Sequence, residues 1–199
     1  MLRRRPVILI GAGGHARVLA DALDRLRINV LGATDARPGG IRNFPLPLIG
    51  NDEYVLKKFK PANVYLVNGI AGIETDSLRA AIYRRFKKNG YEFLRVIHPS
   101  AVMARDVGLS EGVQVMAGAV IQAGAILGEN ALVNTRASID HGCRIGAHTH
   151  VAPGAVLCGD IRIGEGCHIG AGAVIVQGLS IPKGSFIKAG ELVKGKSRR

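Results

Sequence analysis

Val133-Asn134-Thr135-Arg136-Ala137-Ser138-Ile139-Asp140-His141-Gly142-Cys143-Arg144-Ile145 carries an aliphatic side chain at every sixth position: Val133, Ile139 and Ile145. Followed in both directions, the period continues without exception. It runs through Ile97, Met103, Leu109, Val115, Ile121 and Leu127 on one side. On the other it runs through Val151, Leu157, Ile163, Ile169, Ile175, Ile181, Ile187 and Val193. At 47% hydrophobic residues, an unbroken set of this length does not arise by chance. A period of six fits neither a 3.6-residue helix nor a two-residue strand alternation. It is the mark of a β-helix built from hexapeptides.

The residue two places before the aliphatic is usually small: Ala101, Ala119, Ala125, Ala131, Ala137, Cys143, Thr149, Ala155, Cys167, Ala173 and Ser185. Glycine follows it at Gly128, Gly146, Gly164 and Gly170. Large residues are expected to point inward and stack from coil to coil. Small ones fill the corners, and glycine accepts the backbone angles a corner demands. Each buried aliphatic contributes roughly 1.5–3 kcal/mol. A single hexad cannot bury its face alone, so a long stack is needed. The unbroken period predicts that no long loop leaves the prism.

Composition agrees. Aromatics make up 5% of the 199 residues, Trp is absent and there are 27 glycines. No apolar run is long enough to span a membrane. The opening MLRRRPVILIGAGG is basic then apolar, but its apolar run is too short for a secretory signal. The three cysteines lack metal spacing, and Cys143 and Cys167 sit at the small inward position. They read as reduced core residues of a cytoplasmic protein. The net charge of +12 raises the question of nucleic acid. No platform of interleaved aromatic and basic residues supports it. Basic termini (Arg3, Arg4, Arg5; Lys194, Lys196, Arg198, Arg199) and attraction of polyanionic small molecules account for the charge better.

The first 95 residues read differently. Val7–Ile10 is a buried strand, Gly11-Ala12-Gly13-Gly14-His15-Ala16 a glycine-rich turn, and Arg17–Leu26 a helix. This order opens a Rossmann-like unit, in which glycines admit phosphate to a helix N-terminus. Asn29–Thr34 is the second strand, and Asp35 stands where ribose or base hydroxyls are often held. A short helix near Asp52–Phe59, a strand at Val64–Asn68 ending in Asn68-Gly69, a helix over Ser77–Lys88 and a strand at Glu92–Ile97 follow. The expected domains are therefore 1–95, α/β and able to hold one mononucleotide, and 96–199, the β-helix. A bare βα turn without ligand is the plain alternative for the glycines.

Polar residues that interrupt the repeat draw attention. Asn134 and His141 lie seven apart, and His148, His150 and His168 follow. Coils of 18 residues would set His150 beside His168. Clustered histidines suggest proton transfer or a metal. Zinc needs three or four convergent ligands, and the spacing does not offer them, so no metal is expected. His98, His148 and His168 read as surface histidines.

Taken together, GAGGHARVLADAL, VIHPSAV and NTRASIDHGCRIGAHTHVAPGAVLCGDIRIG resemble the bacterial nucleotide-sugar acetyltransferases of the sialic-acid and bacillosamine type. The resemblance spans residues 6–193. It implies a left-handed parallel β-helix, a homotrimer, and transfer of acetyl from acetyl-CoA to an activated sugar. Several members act on the 4-amino group of a nucleotide-linked 4-amino-4,6-dideoxyhexose, for surface glycan synthesis. By the same resemblance His141 is the general base of an N-T-x-x-x-x-[DE]-H motif, and Asn134 and His150 lie near the acetyl group. Gly13, Gly14 and His15 match the turn that meets the nucleotide-sugar phosphates, Asp35 a base or ribose contact, with Asn68 and Gly69 beside them. Ala171 and Ala189 match positions that meet coenzyme A through backbone atoms. The family usually has an acid directly after the histidine. Here that residue is Gly142, so a carboxylate from elsewhere, or a weaker base, is expected. O-acetylation of a sialic-acid-type sugar is the alternative activity. A nicotinamide oxidoreductase would leave the hexads unexplained, and a non-catalytic scaffold would leave Asn134 and His141 unexplained.

Overall fold

The computed structural model describes residues 5–36, 43–72 and 78–195. The basic residues at either extreme, other than Arg5 and Lys194, and Ser77 at the start of the predicted helix lie outside the described residues. The N-terminal unit is a four-stranded parallel sheet in the order β3-β2-β1-β4. Its strands are β1 (Val7–Ile10), β2 (Val30–Thr34), β3 (Leu48–Gly50) and β4 (Tyr65–Asn68). Helices α1 (Gly14–Arg25), α2 (Asp52–Lys58) and α3 (Leu78–Lys88) pack around it. Strand β1 is apolar at all four positions because it is buried on both faces. Helix α1 is amphipathic, and buries Ala16, Leu19, Ala20, Ala22 and Leu23 against the sheet.

Two sequence expectations change here. Strand β3 was not foreseen, because three residues, two of them exposed, leave no periodic signal. The strand expected over Glu92–Ile97 is divided. Phe93 makes a single parallel bridge to Leu66, while Val96–Ile97 already forms the first strand of the prism, β5. The stretch between them joins the two units, and its hydrogen bonds are shared by both. The amide of Leu94 bonds Leu66 and that of Val96 bonds Val113.

From β5 (Val96–Ile97) to β21 (Leu192–Val193) the chain makes two-residue strands that pair at an interval of 18, as Leu132 does with His150. They form three parallel sheets, the faces of a triangular prism. The second residue of each strand is the periodic aliphatic. Those from Val115 to Ile181 are buried, whereas Ile97, Met103, Leu109, Ile187 and Val193 are only partly so. The end coils have one neighbour instead of two, as expected of a stack.

The glycines after the aliphatics need a different explanation from the one expected. Gly128, Gly146, Gly164 and Gly170 do not adopt left-handed angles; a Cβ on any of them would lie 2.4–2.6 Å from backbone atoms of the next coil. Close approach of neighbouring coils is what excludes a side chain. The left-handed turns lie elsewhere, at every sixth residue from Gly112 to Gly190, and four of these are not glycine: Asn130, Arg136, His148 and Asp160.

The N-terminal unit sits on the first face of the prism, where Val96, Met116 and Leu132 join the same apolar cluster as Val7, Leu9 and Leu19. The second face carries Val102, Val120, Ser138, Val156, Val174 and Leu192 outward, a stripe apolar at every position but Ser138, in which Val102, Val156 and Leu192 are exposed. The third face turns Arg144 and Arg162 to solvent.

Candidate active site

A cleft of about 440 Å³ opens at the carboxyl ends of the parallel strands. It lies where ligands bind in open α/β sheets, at the point where chain order reverses between β1 and β4. Gly11, Gly13, Thr34, Asp35, Asp52 and Arg85 are among its lining residues. Gly13 caps α1 without a side-chain hydrogen bond, and the first turn holds no acid. The N–H groups and partial positive charge there are open to an anion. A Cβ on Gly13 or Gly14 would meet open space, so backbone is accessible from outside. Gly69 is different. A Cβ on it would lie 2.7 Å from the Ile10 carbonyl oxygen and 2.9 Å from Ala16, so the end of β4 packs tightly against the turn. Thr34 Oγ1 accepts from the Gly11 amide and donates to Asp52, which holds the turn in place. A second cleft, of about 520 Å³, lies at the opposite ends of the strands, where Arg5 stacks 3.7 Å above the Tyr65 ring. It shares no residue with the glycine-rich turn.

His15 and Asn68 face the seam between the two units. His15 Nε2 is 2.8 Å from Gln114 Oε1, and Gln114 in turn donates to the Asn68 carbonyl. The buried Asn68 amide donates to the Arg79 carbonyl and lies 3.2 Å from Asn130 Oδ1. Arg79 itself is fully buried, with its guanidinium donating to the carbonyls of Asn130, Asn68 and Ile70. Burial pushes it down to about 9, so it remains a cation at neutral pH. Gln114 and Arg79 escaped the sequence reading. The only trace of Gln114 is a polar residue at an outward strand position of the first face, in the column it shares with Val96, Leu132, His150, His168 and Phe186.

His148 and His168 are buried, with 8% and 7% exposure, which corrects their reading as surface residues. His148 lies 3.0 Å from Asn130 Nδ2 beneath Tyr83. His150 pairs with His168 across adjacent coils, ring centroids 4.9 Å apart, and His168 stacks on Phe186. Among the described residues no three His, Cys, Asp or Glu side chains converge.

His150 Nδ1 faces the Gly72 carbonyl at 2.8 Å, so this nitrogen carries the proton. Nε2, 3.1 Å from Asn134 Nδ2, is then an acceptor. Burial lowers its pKa to about 3, keeping it neutral. His150 thus has no N–H left for an oxyanion, whereas Asn134 retains a second Nδ2 hydrogen. The Asn134 Oδ1 takes the Thr135 amide, which fixes the orientation of the side chain.

His141 and Asn134 lie on different corners. Asn134 is on the corner between the first and second faces, with the exposed Ala171 and Ala189 one above the other on it; the Gly190 amide donates to the Ala171 carbonyl. His141 is on the corner between the second and third faces, its side chain 56% exposed. Its own amide donates to Asp140 Oδ1 at 2.6 Å, so that carboxylate is turned to the backbone. The two corners border the apolar second face from opposite sides.

Comparison with known proteins finds matches to both halves of the chain. Residues 6–86 match the family described as the PglD N-terminal domain, and residues 125–159 and 142–177 match the bacterial transferase hexapeptide repeat. The acetyltransferase domain of PglB from Neisseria gonorrhoeae FA1090 is similar at 32% identity, with TM-score 0.87 over 94% of this chain and 90% of that one. The same domain in complex with acetyl coenzyme A gives 0.88 at 32% identity over 96% and 91%. A histidine-to-asparagine variant of perosamine N-acetyltransferase from Caulobacter crescentus, in complex with CoA and GDP-perosamine, is 34% identical, with TM-score 0.85 over 93% of this chain and 86% of that one.

Proposed function

This chain belongs to the hexapeptide-repeat acetyltransferases with a PglD-type N-terminal domain. From that premise we propose that it moves acetyl from acetyl-CoA to the 4-amino group of a nucleotide-linked 4-amino-4,6-dideoxy sugar. The observation that carries the reading is the pairing of two sites in one chain. One is a cleft at the strand ends lined by Gly11, Gly13 and Asp35, beside the open N-terminus of α1. The other is an exposed histidine on the prism.

The site is shared between copies in a homotrimer. The apolar second face is what a prism would bury against its neighbours, and a threefold contact is heterologous. It brings the His141 corner of one copy to the Asn134, Ala171 and Ala189 corner of the next. Acetyl-CoA lies along the groove so formed. The sugar nucleotide, held by the N-terminal cleft, presents its amine there. His141 accepts the proton as the amine adds to the thioester carbonyl, and coenzyme A leaves as its thiol. A positioned base of this kind contributes about 10²–10⁴-fold. The Asn134 side-chain amide, with one Nδ2 hydrogen to spare beside His150, is the donor for the oxyanion. The three cysteines are unpaired, and Cys143 and Cys167 are buried with thiols pushed up by burial, so no acyl-enzyme is required of them. Among the described residues no helix is long and apolar enough to cross a membrane. The enzyme acts in the cytoplasm, where acetyl-CoA is made, on a precursor of a surface polysaccharide.

The test is thiol release from acetyl-CoA with UDP-, GDP- and dTDP-linked 4-amino sugars, with CMP-sialate and free sialic acid as the contrasting acceptors. Turnover with a 4-amino sugar, collapsing in His141→Ala with the oligomer intact, is expected. Turnover confined to the sialic acids would replace the N-acetyl reading by O-acetylation.

A further inference from the structure

One coil beyond His141, the corner carries Gly159 and Asp160. Both are fitted to the imidazole. A Cβ on Gly159 would stand 2.5 Å from His141 Cε1 and Nε2, so a side chain there would push the ring out of this position. Asp160 adopts φ +58, in a column whose other left-handed members are Gly124, Gly142 and Gly178. Aspartate tolerates that conformation better than most side chains, but glycine accepts it without cost. The Asp160 carboxylate reaches back toward the previous coil. Its Oδ1 is 4.0 Å from His141 Nδ1. The same oxygen would be 2.3 Å from a Cβ on Gly142. It therefore occupies the space that any side chain directly after His141 would fill.

We propose that Asp160 is the positioning carboxylate of His141, supplied from the adjacent coil through the gap that Gly142 leaves open. Resting on His141 as the base, the assignment gives each ring nitrogen a role. Nδ1–H turns to Asp160, the lone pair resides on Nε2, and the carboxylate neutralises the imidazolium formed when Nε2 takes the amine proton. Both side chains are more than half exposed, so a small rotation of either closes 4.0 Å to a hydrogen bond. The charged and titratable groups around the ring are Asp140, turned to the His141 amide, and Asp160; Cys143 lies behind them in the core with its thiol on the Cys158 carbonyl.

Asp160→Asn tests this, since asparagine keeps the left-handed turn and removes the charge. We expect kcat to fall about tenfold or more with KM little changed. Gly142→Ala should act alike by displacing the carboxylate. The swap Gly142→Asp with Asp160→Gly, which moves the carboxylate back one coil, should recover activity to within a few-fold. Wild-type kcat in Asp160→Asn, with His141→Ala inactive, would overturn the proposal and leave the base in place. A fall in kcat with no recovery in the swap would mark Asp160 as merely structural and also overturn it. Activity retained in His141→Ala would instead remove the base reading itself.

Discussion

Acidification should unlock the seam between the nucleotide unit and the prism. Two histidines hold it as neutral rings. Burial, reinforced by the Arg79 cation, pushes His15 down to about 4 against the opposing pull of its Gln114 hydrogen bond. Burial pushes His150 down to about 3, with the Gly72 carbonyl opposing. Unfolded histidine titrates near 6.5. Below that pH the unfolded chain binds protons that the folded one refuses. Their stability contribution is therefore full above about 6.5 and is lost as pH falls toward the folded values. At pH 5 the loss comes to about 2 kcal/mol for each ring, about 4 for the pair. His148 and His168, also lowered by burial, act in the same direction. For a chain of this size about 4 kcal/mol corresponds to a fall in Tm of roughly 8–16 °C. Thermal unfolding at pH 8 and pH 5, on the wild type and on His15→Gln with His150→Gln, measures it. The double variant should lose most of the pH dependence, because glutamine hydrogen-bonds without titrating. A wild-type Tm that moves by less than about 3 °C, or a double variant as pH-sensitive as the wild type, would refute the reasoning.

Other outcomes follow from single contacts. Leu157→Ala empties a fully buried position in the middle of the stack and should cost about 2–5 kcal/mol in denaturant unfolding. Gly146→Ala drives a methyl group to 2.4 Å from the Gly164 backbone; separating two coils there should cost about 1–3 kcal/mol, visible as a lower melting temperature. Val156→Glu places a charge on the apolar second face, and should convert the oligomer to a folded, inactive monomer by size exclusion and circular dichroism. Asp35→Ala should raise KM for the sugar nucleotide about tenfold while leaving KM for acetyl-CoA unchanged, measured by initial rates.

Much of the fold was legible because its cause is local and repeated. Every coil buries the same inward position, so Val133, Ile139 and Ile145 announce the prism by spacing alone. Strand β1, the glycine-rich turn and α1 were legible for the same reason, since burial of one continuous segment dictates its pattern. Strand β3 was not, because its pairing to β2 depends on the partner strand and leaves almost no burial of its own. The glycines divided between two causes that look identical in sequence. Gly142 is left-handed, whereas Gly146 is crowded by the next coil.

The site shows the same division. The linear order of residues was enough to single out Asn134, His141 and the turn at Gly13 and Gly14. What each can offer a ligand depended on neighbours far away in the chain. Asn68 and His15 meet Asn130 and Gln114 across the seam, and His150 spends its only N–H on Gly72. Asp160 comes to His141 only because a coil of 18 residues stacks it one layer above Gly142. Hydrophobic periodicity is a property of each segment, so the sequence by itself determined the prism. Hydrogen bonds and carboxylate placement are properties of pairs, and only the tertiary structure decided which pairs meet.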